Sequence, residues 1–106
     1  MSIQSVIDIQ TKEQLEQLTA KDEPIILYFY SQDCNVCHAI FPKLMNLVNE
    51  RPIKVVKIDV NENREIAGQS LVFTVPTILM LYEGREILRE SRFVDFEKIA
   101  RTLSFF

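Results

Sequence analysis

The sequence predicts one α/β domain in which helices cover both faces of a central mixed sheet, with elements in the order β-α-β-α-β-α-β-β-α. Residues 24–30 form a continuous apolar run, and residues 53–60 form a β-branched run that Lys57 interrupts. Both are expected for strands covered on both faces of a parallel sheet. A helix-length segment between them has apolar residues at three- and four-residue steps and completes a βαβ unit. Residues 77–82 and 86–90 predict an antiparallel hairpin.

Length and composition fit a single globular domain over residues 1–106. Of the 106 residues, 47% are hydrophobic and 25% are charged, which is the balance of an ordinary globular protein. A chain of this length forms one core and is too short for two ordinary domains. No repeat or Gly/Ser/Pro-rich linker divides it.

The first half of the chain carries clear signals for helix starts. Residues 3–9 predict a short strand, and residues 11–14 have the Thr-x-x-Gln form of a capping box for a helix that ends near Asp22. The second helix begins near Cys34, directly after the buried strand. Pro42 lies inside this helix, where it removes a backbone donor and bends it.

The second half predicts two more helices around the hairpin. We expect Asn61 to cap a short helix through Ala67, with Gly68 as a left-handed stop. Gly84 supplies the hairpin turn, and Asp95 starts the last helix. We interpret four aromatic residues as packing of the core and terminus rather than a partner surface: Phe93, Phe96, Phe105 and Phe106.

Charge and hydropathy argue against nucleic-acid and membrane partners. The formal net charge is −3, whereas nucleic-acid binding relies on clustered cations. The longest apolar runs are far below the roughly 20 residues that span a bilayer. The first residues do not have the pattern of an export signal. We therefore expect a cytoplasmic protein, and we expect a monomer.

Both cysteines lie in one tetrapeptide, Cys34-Asn35-Val36-Cys37. In a cytosolic chain, such a pair is more often catalytic or metal-binding than structural. A cysteine at a helix start is placed where free N–H groups and the helix dipole stabilise the thiolate. Cys34 is therefore the predicted attacking thiol. Cys37, one turn later, resolves the mixed disulfide and leaves an intramolecular bridge. This redox-active disulfide needs no further cofactor.

Three other interpretations of the pair remain open. The cysteines can be structural, and Cys34-x-x-Cys37-His38 formally matches the attachment pattern of c-type haem. Zinc is a third interpretation, because two cysteines and a histidine supply three ligands, although in consecutive positions. We predict no metal and give His38 a different role, as a partly exposed helical residue whose positive form assists Cys34.

The arrangement of motifs around the cysteines resembles the thioredoxin family over about residues 20 to 105. The matching features are the apolar strand before Cys34, Pro42 after Cys37, the strand at residues 55–59, Val75-Pro76-Thr77 and the Glu83-Gly84 turn. The resemblance implies a thioredoxin fold. It also implies that Pro76 is cis and faces the disulfide, and that the backbone before it, at Val75, pairs with an extended substrate.

The chain departs from the family pattern at several positions near the cysteines. Asp33 replaces the family's tryptophan and places a negative charge beside the thiolate, which it should disfavour. Asn35 and Val36 replace Gly-Pro. Tyr28 replaces a buried aspartate that helps to deprotonate the resolving thiol, so that Lys57 loses the carboxylate it meets in the family.

Arg92 is a further candidate site residue. The resemblance places residues 91–93 in a loop near the disulfide, where the family has a glycine. There, the charge of Arg92 would offset that of Asp33 and favour acidic substrates. The alternative is an ordinary solvated arginine, because long cationic side chains usually remain in water.

The sequence thus leads to two functional hypotheses. The first is a thiol–disulfide oxidoreductase, acting as a cytosolic reductant in electron transport and cell redox homeostasis. It would act on disulfide-containing proteins and receive electrons from a donor of the thioredoxin-reductase type. The second is a binding or adaptor module of thioredoxin fold with little turnover, which the altered residues Asp33 and Tyr28 keep open.

Overall fold

The computed structural model describes residues 5–20, 22–49 and 51–106. These contain strands and helices in the predicted order: β1 (Ser5–Asp8), α1 (Lys12–Thr19), β2 (Ile25–Tyr30), α2 (Asn35–Val48), β3 (Lys54–Asp59), α3 (Arg64–Gln69), β4 (Thr77–Tyr82), β5 (Arg85–Ser91) and α4 (Phe96–Leu103). The start of the predicted first strand, residues 3 and 4, lies outside the described residues. No helix of the described ranges has the length and apolar character needed to cross a membrane.

The strands form one mixed sheet in the order β1-β3-β2-β4-β5. Strands β1, β3 and β2 are parallel, while β4 is antiparallel to both β2 and β5. Ile26 at the centre pairs with Val55 on one side and with Met80 on the other. This topology confirms the predicted α/β class and thioredoxin fold.

Two hydrophobic cores lie on opposite faces of the sheet, because successive side chains of a strand point to opposite faces. Ile26 and Tyr28 of β2 pack towards buried residues of α2 and α4. Leu27 and Phe29 pack towards α3 and the apolar edge of α1. All six residues of β2 are buried, which confirms the prediction of a strand covered on both faces.

Helix starts agree well with the capping signals in the sequence. Thr11 Oγ1 accepts a hydrogen bond of 3.1 Å from the N–H of Gln14, and Asp95 Oδ1 accepts one of 3.1 Å from Lys98. Helix α1 is shorter than predicted and ends at Thr19, with Ala20 as its C-cap. Pro42 lies inside α2, as predicted.

The predicted boundaries of α3 are wrong at both ends. Asn63, not Asn61, precedes the helix, because the N–H of Asn61 donates instead to Asp59 Oδ1 in a local turn at 2.9 Å. Gly68 is a helical residue rather than a left-handed stop. The left-handed position is Leu71, with φ of 57°, whose N–H donates to the carbonyl of Gly68 at 3.1 Å.

The β4–β5 hairpin turns at Glu83 and Gly84, which both have positive φ, of 53° and 76°. Two consecutive left-handed residues match the twist of a tight hairpin, and glycine adopts this conformation without strain. The structure therefore agrees with the turn expected at Gly84.

Candidate active site

Four chain segments meet at one end of the sheet. Strands β2 and β3 both finish there, joined by the N–H of Val60 and the carbonyl of Tyr30 at 2.9 Å. The start of β4 lies beside the end of β2, and Thr77 pairs with both Phe29 and Ser91. Four segments extend beyond this end and therefore surround a common site: residues 31–37, 60–63, 73–76 and 91–93.

The two cysteines form a disulfide at this end, with their Cα atoms 5.3 Å apart. Cys34 is the N-cap of α2, and its sulfur accepts a hydrogen bond from the N–H of Cys37 at 3.1 Å. Cys34 is partly exposed, whereas Cys37 is only 1% exposed. The N–H of Cys37 and the positive end of the helix dipole favour a thiolate at Cys34, which is also the sulfur that a partner can reach.

Tyr28 lies beneath Cys37 in the core. Its hydroxyl donates a hydrogen bond to the main-chain carbonyl oxygen of Cys37, and its ring packs on that of Phe41, with centroids 5.1 Å apart. Burial raises the pKa of the Tyr28 phenol well above its ordinary value. The group that replaces the family's buried carboxylate is therefore a neutral donor and not a proton acceptor.

Lys57 lies against two aromatic rings, and within the described residues no salt bridge joins it to a carboxylate. Its Nζ is 4.6 Å from the ring centroid of Tyr30 and 4.6 Å from that of Phe41. A cation over an aromatic face is stabilised by the ring quadrupole. Burial raises the pKa of Tyr30, and the charges of Asp8 and Asp59 raise it further.

The loop before Cys34 is held by hydrogen bonds at each of its residues. Asp33 Oδ1 accepts from Ser31 Oγ at 2.8 Å. His38 Nε2 lies 2.9 Å from the carbonyl oxygen of Gln32 and must donate, because a carbonyl only accepts. The Gln32 side chain donates to Asp59 Oδ2 at 3.2 Å. The sequence analysis did not identify Gln32 or Asp59 as site residues. Gln32 follows the apolar strand β2, and Asp59 is the last residue of β3.

The peptide bond between Val75 and Pro76 is cis, as the resemblance implies. Pro76 is buried, and its carbonyl accepts a hydrogen bond of 2.9 Å from the N–H of Arg92. Val75 is partly buried and packs against both cores. The loop that carries it is tied to the end of β5 through Thr77, whose Oγ1 is 3.2 Å from Ser91 Oγ.

The remaining candidates lie on the surface of the same end. Arg92 has a left-handed backbone, with φ of 64°, and its side chain is exposed. No ion pair joins it to Asp33 within the described ranges. Asn35 and Val36 are exposed on the first turn of α2. The structure thus places all predicted site residues at or beneath this end of the sheet. It does not show the ion pair between Asp33 and Arg92 within the described residues.

Two phenylalanines are exposed beside the site, and one of them corrects a prediction. Phe93 is 92% exposed and Phe73 is 83% exposed. Phe93 was expected to pack in the core, but it follows the left-handed Arg92, and its N–H bonds back to Ser91 in a tight turn. Phe96 packs partly against the core, as expected, whereas Phe105 is exposed.

The described part of the structure adds no further metal ligand to Cys34, Cys37 and His38. Within the described residues, no group of three or more His, Cys, Asp and Glu side chains is arranged to hold a metal ion. His38 contacts the Gln32 carbonyl, and Cys34 is bonded to Cys37.

Comparison with known proteins identifies the family. The Thioredoxin family model matches residues 5–104, which is nearly the whole chain. The chain belongs to the thioredoxin family. It is 41% identical over 78 residues to the thioredoxin-like protein YdfQ of Bacillus subtilis (strain 168), covering 73% of this chain and 70% of that protein.

Structures of thioredoxins show the same fold. The chain matches Fasciola hepatica thioredoxin with a TM-score of 0.83 and 30% identity, over 93% of this chain and 97% of that one. It matches a mutant thioredoxin from Halobacterium salinarum NRC-1 with a TM-score of 0.86, over 99% and 93% of the two chains, at 23% identity. Within the thioredoxin family, this chain carries its close cysteine pair between Asp33 and His38.

Proposed function

We propose that this thioredoxin-family protein is a thiol–disulfide oxidoreductase that reduces disulfides in other proteins. The observation that carries the proposal is the difference in exposure between the two cysteines. Cys34 caps α2 and is partly exposed, whereas Cys37 is 1% exposed. One sulfur is thus available to an external disulfide, and the other only to its neighbour.

The first step is attack by Cys34. In the reduced protein, the Cys34 thiolate attacks one sulfur of the substrate disulfide, forming a mixed disulfide and releasing the other substrate sulfur as a thiolate. The N-terminal N–H groups of α2 stabilise the charge on Cys34 before attack. Asp33 opposes this stabilisation, because its carboxylate places a like charge near the thiolate.

The second step is resolution by Cys37. Its thiol loses a proton, and the thiolate attacks Cys34 Sγ, which forms the intramolecular disulfide and releases the second substrate thiolate. Two electrons thereby pass from the cysteine pair to the substrate. Because the Tyr28 phenol is neutral, we assign the proton of Cys37 to water rather than to a buried base.

The other site residues shape the contact with the substrate. Val75 and Pro76 form one wall beside the disulfide, and the exposed Asn35 and Val36 form another on α2. We assign His38 to hold the loop before Cys34 through the carbonyl of Gln32, and Lys57 to supply a fixed positive charge beneath α2. Arg92 offers a cation to the substrate at the loop after β5.

The cycle requires an electron donor that reduces the Cys34–Cys37 disulfide again. We propose a donor of the thioredoxin-reductase type, and a cytoplasmic monomer that contributes to cell redox homeostasis. No separate cofactor enters the exchange, since both electrons come from the cysteine pair.

A turnover assay tests this proposal. Reduction of a disulfide-linked protein by excess dithiothreitol should accelerate with the wild-type chain, and Cys34→Ser should abolish the acceleration. Cys37→Ser should form a mixed disulfide with the substrate through Cys34 that persists on a non-reducing gel. Substrate capture unaffected by Cys34→Ser would instead support the binding module.

A further inference from the structure

A cavity of about 300 Å³ lies at the end of the sheet opposite the disulfide, where β2 and β3 begin. Its described lining residues are Glu23, Pro24, Arg51, Pro52, Ile53, Leu103 and Phe106. Cavities that bind small molecules have volumes of about 300–1,000 Å³, so this cavity has room for a compact ligand. It shares no residue with the disulfide site.

The walls of the cavity are mostly apolar and are held by the surrounding fold. Pro24 and Pro52 lie just before β2 and β3, and neither has a main-chain N–H to donate. Leu103 is 2% exposed and belongs to the core beneath α2 and α4. The Phe106 ring packs on Tyr82, with centroids 4.9 Å apart, and is 50% exposed. Its exposed part offers a face on which another aromatic ring stacks.

Arg51 brings a positive charge to this apolar cavity. Its Nη1 donates to the main-chain carbonyl of Leu103 at 3.4 Å, so the guanidinium group itself, and not only the aliphatic stem, lies at the wall. The main chain around it is fixed by two hydrogen bonds. The Arg51 N–H donates to the carbonyl of Val48 at 3.0 Å, and the Arg51 carbonyl accepts from the N–H of Ile53 at 2.8 Å.

The charge of Arg51 is not offset within the described residues, where no carboxylate forms an ion pair with it. The acid that lines the cavity is already paired, because Glu23 Oε1 lies 3.1 Å from Lys54 Nζ. Arg51 is also partly buried, so solvent screens its charge less than that of a fully exposed side chain. Apolar walls beside a single available cation are complementary to an apolar group that carries a carboxylate.

We propose that this cavity binds a small aromatic carboxylate. The ring of the ligand lies against the two prolines and Phe106, and its carboxylate accepts hydrogen bonds from Arg51. A guanidinium group presents a planar fork of N–H donors that matches the two oxygens of a carboxylate. Binding uses neither cysteine, because the cavity and the disulfide lie at opposite ends of β2. The site therefore goes beyond the proposed exchange reaction and does not depend on it.

Three ligands with the same aromatic ring test the proposal: phenylacetate, phenylacetamide and phenethylamine, which are negative, neutral and positive. Each is titrated into the isotope-labelled oxidised protein while the backbone amide chemical shifts are followed by NMR. We expect phenylacetate to give saturable shifts at residues 51, 53 and 103–106 and little change at residues 31–37. It should bind about threefold more tightly than phenylacetamide, as for a partly exposed ion pair, and phenethylamine should bind most weakly. The difference between the acid and the amide should fall at high salt.

Two variants locate the ligand, and two more serve as matched controls. Arg51→Gln removes the charge but keeps a donor for the carbonyl of Leu103, so it should bind the acid and the amide equally. Arg101→Gln removes a charge from an exposed position of α4 outside the lining and should keep the preference for the acid. Phe106→Ala removes part of the wall and should weaken both ligands by about threefold. Phe105→Ala, at a residue of 84% exposure outside the lining, should not.

Several results would overturn the proposal. Equal binding of the acid and the amide by the wild type is one, and it requires no substitution, so it is decisive even where a variant fails to fold. A preference for the acid that survives Arg51→Gln is another. Shifts centred on residues 31–37, or inhibition of disulfide reduction by phenylacetate, would place the ligand at the cysteines instead. Shifts of the cavity residues that grow with protein concentration in the absence of ligand would show that a second copy of the chain fills the cavity.

Discussion

The hydroxyl of Tyr28 donates a hydrogen bond to the main-chain carbonyl of Cys37 and so links the central strand to the first turn of α2. The bond is buried, and the phenol stays protonated because burial raises its pKa. It holds the resolving cysteine in place through the backbone without adding a charge near the sulfur. This differs from a buried carboxylate, which would accept a proton at the same position.

Tyr28→Phe should lower the free energy of unfolding by about 1 kcal/mol, since it removes one buried hydrogen bond and keeps the ring. Urea denaturation of the oxidised protein at pH 7 measures the change. Tyr82→Phe is the control, because the Tyr82 hydroxyl has no hydrogen bond within the described ranges and its loss should cost less. Equal losses in the two variants would mean that the contact with Cys37 contributes no stability.

Alkaline pH should destabilise the protein through its buried tyrosines. Burial raises the pKa of both Tyr28 and Tyr30 in the folded state. Above about pH 10, the unfolded chain releases these phenolic protons while the folded chain retains them, so the free energy of unfolding falls as pH rises. Denaturation at several pH values should give a shallower fall for Tyr28→Phe. If the free energy of unfolding fell equally with pH in the wild type and in Tyr28→Phe, Tyr28 would not contribute to the alkaline loss of stability.

Local patterns were sufficient to predict most of the fold. Apolar residues are continuous before Ser31 and recur at three- and four-residue steps after it, which predicts the strand β2 and the helix α2. The caps at Thr11 and Asp95 follow from single side chains. The start of α3 was misplaced because two asparagines precede the helix, and the one at its N-cap, Asn63, makes no side-chain capping hydrogen bond. Only the geometry around Asp59 shows that Asn61 belongs to the preceding turn.

The site was only partly predictable, because its contacts join distant segments. Cys34 and Cys37 can be located from one motif at a helix start, whereas Pro76 enters through family resemblance alone. Phe93 was assigned to the core since it is apolar, and its exposure depends on the left-handed turn at Arg92. The contacts of Arg89, on β5, with the carbonyls of Ser70 and Leu71 have no signal in the local sequence, because these two acceptors lie in another loop.

Asp33→Asn should increase the reactivity of Cys34. The substitution keeps an oxygen that can accept from Ser31 Oγ but removes the negative charge near the thiolate. We expect alkylation of reduced protein by limiting iodoacetamide near pH 7 to be a few-fold faster at Cys34, measured by mass spectrometry. Glu97→Asn removes a charge on the distant α4 and serves as the control. A slower reaction in Asp33→Asn would show that its carboxylate assists the thiolate.

Arg89 anchors the loop that leads to Pro76. Its guanidinium donates to the carbonyls of Ser70 and Leu71 at 2.7 and 3.0 Å and to the Glu86 carboxylate. Arg89→Lys keeps the charge but loses the planar fork whose separate nitrogens reach these acceptors, so it should cost about 1–2 kcal/mol and speed amide exchange in residues 71–75. Glu86→Gln removes the exposed ion pair alone and should cost about 0.5 kcal/mol. Equal costs would show that the two carbonyl contacts are dispensable.

The central claim is that Cys34 and Cys37 form one reversible dithiol–disulfide couple. Its most direct test is an equilibrium titration in defined thiol–disulfide buffers, read by alkylation and mass shift. We expect both thiols to disappear in a single two-electron step, with a midpoint below the extracted glutathione poise of about −220 to −260 mV, as for a reductant. A midpoint well above that range would mark an oxidant or isomerase. The absence of an intramolecular disulfide under any buffer would contradict the exchange mechanism itself.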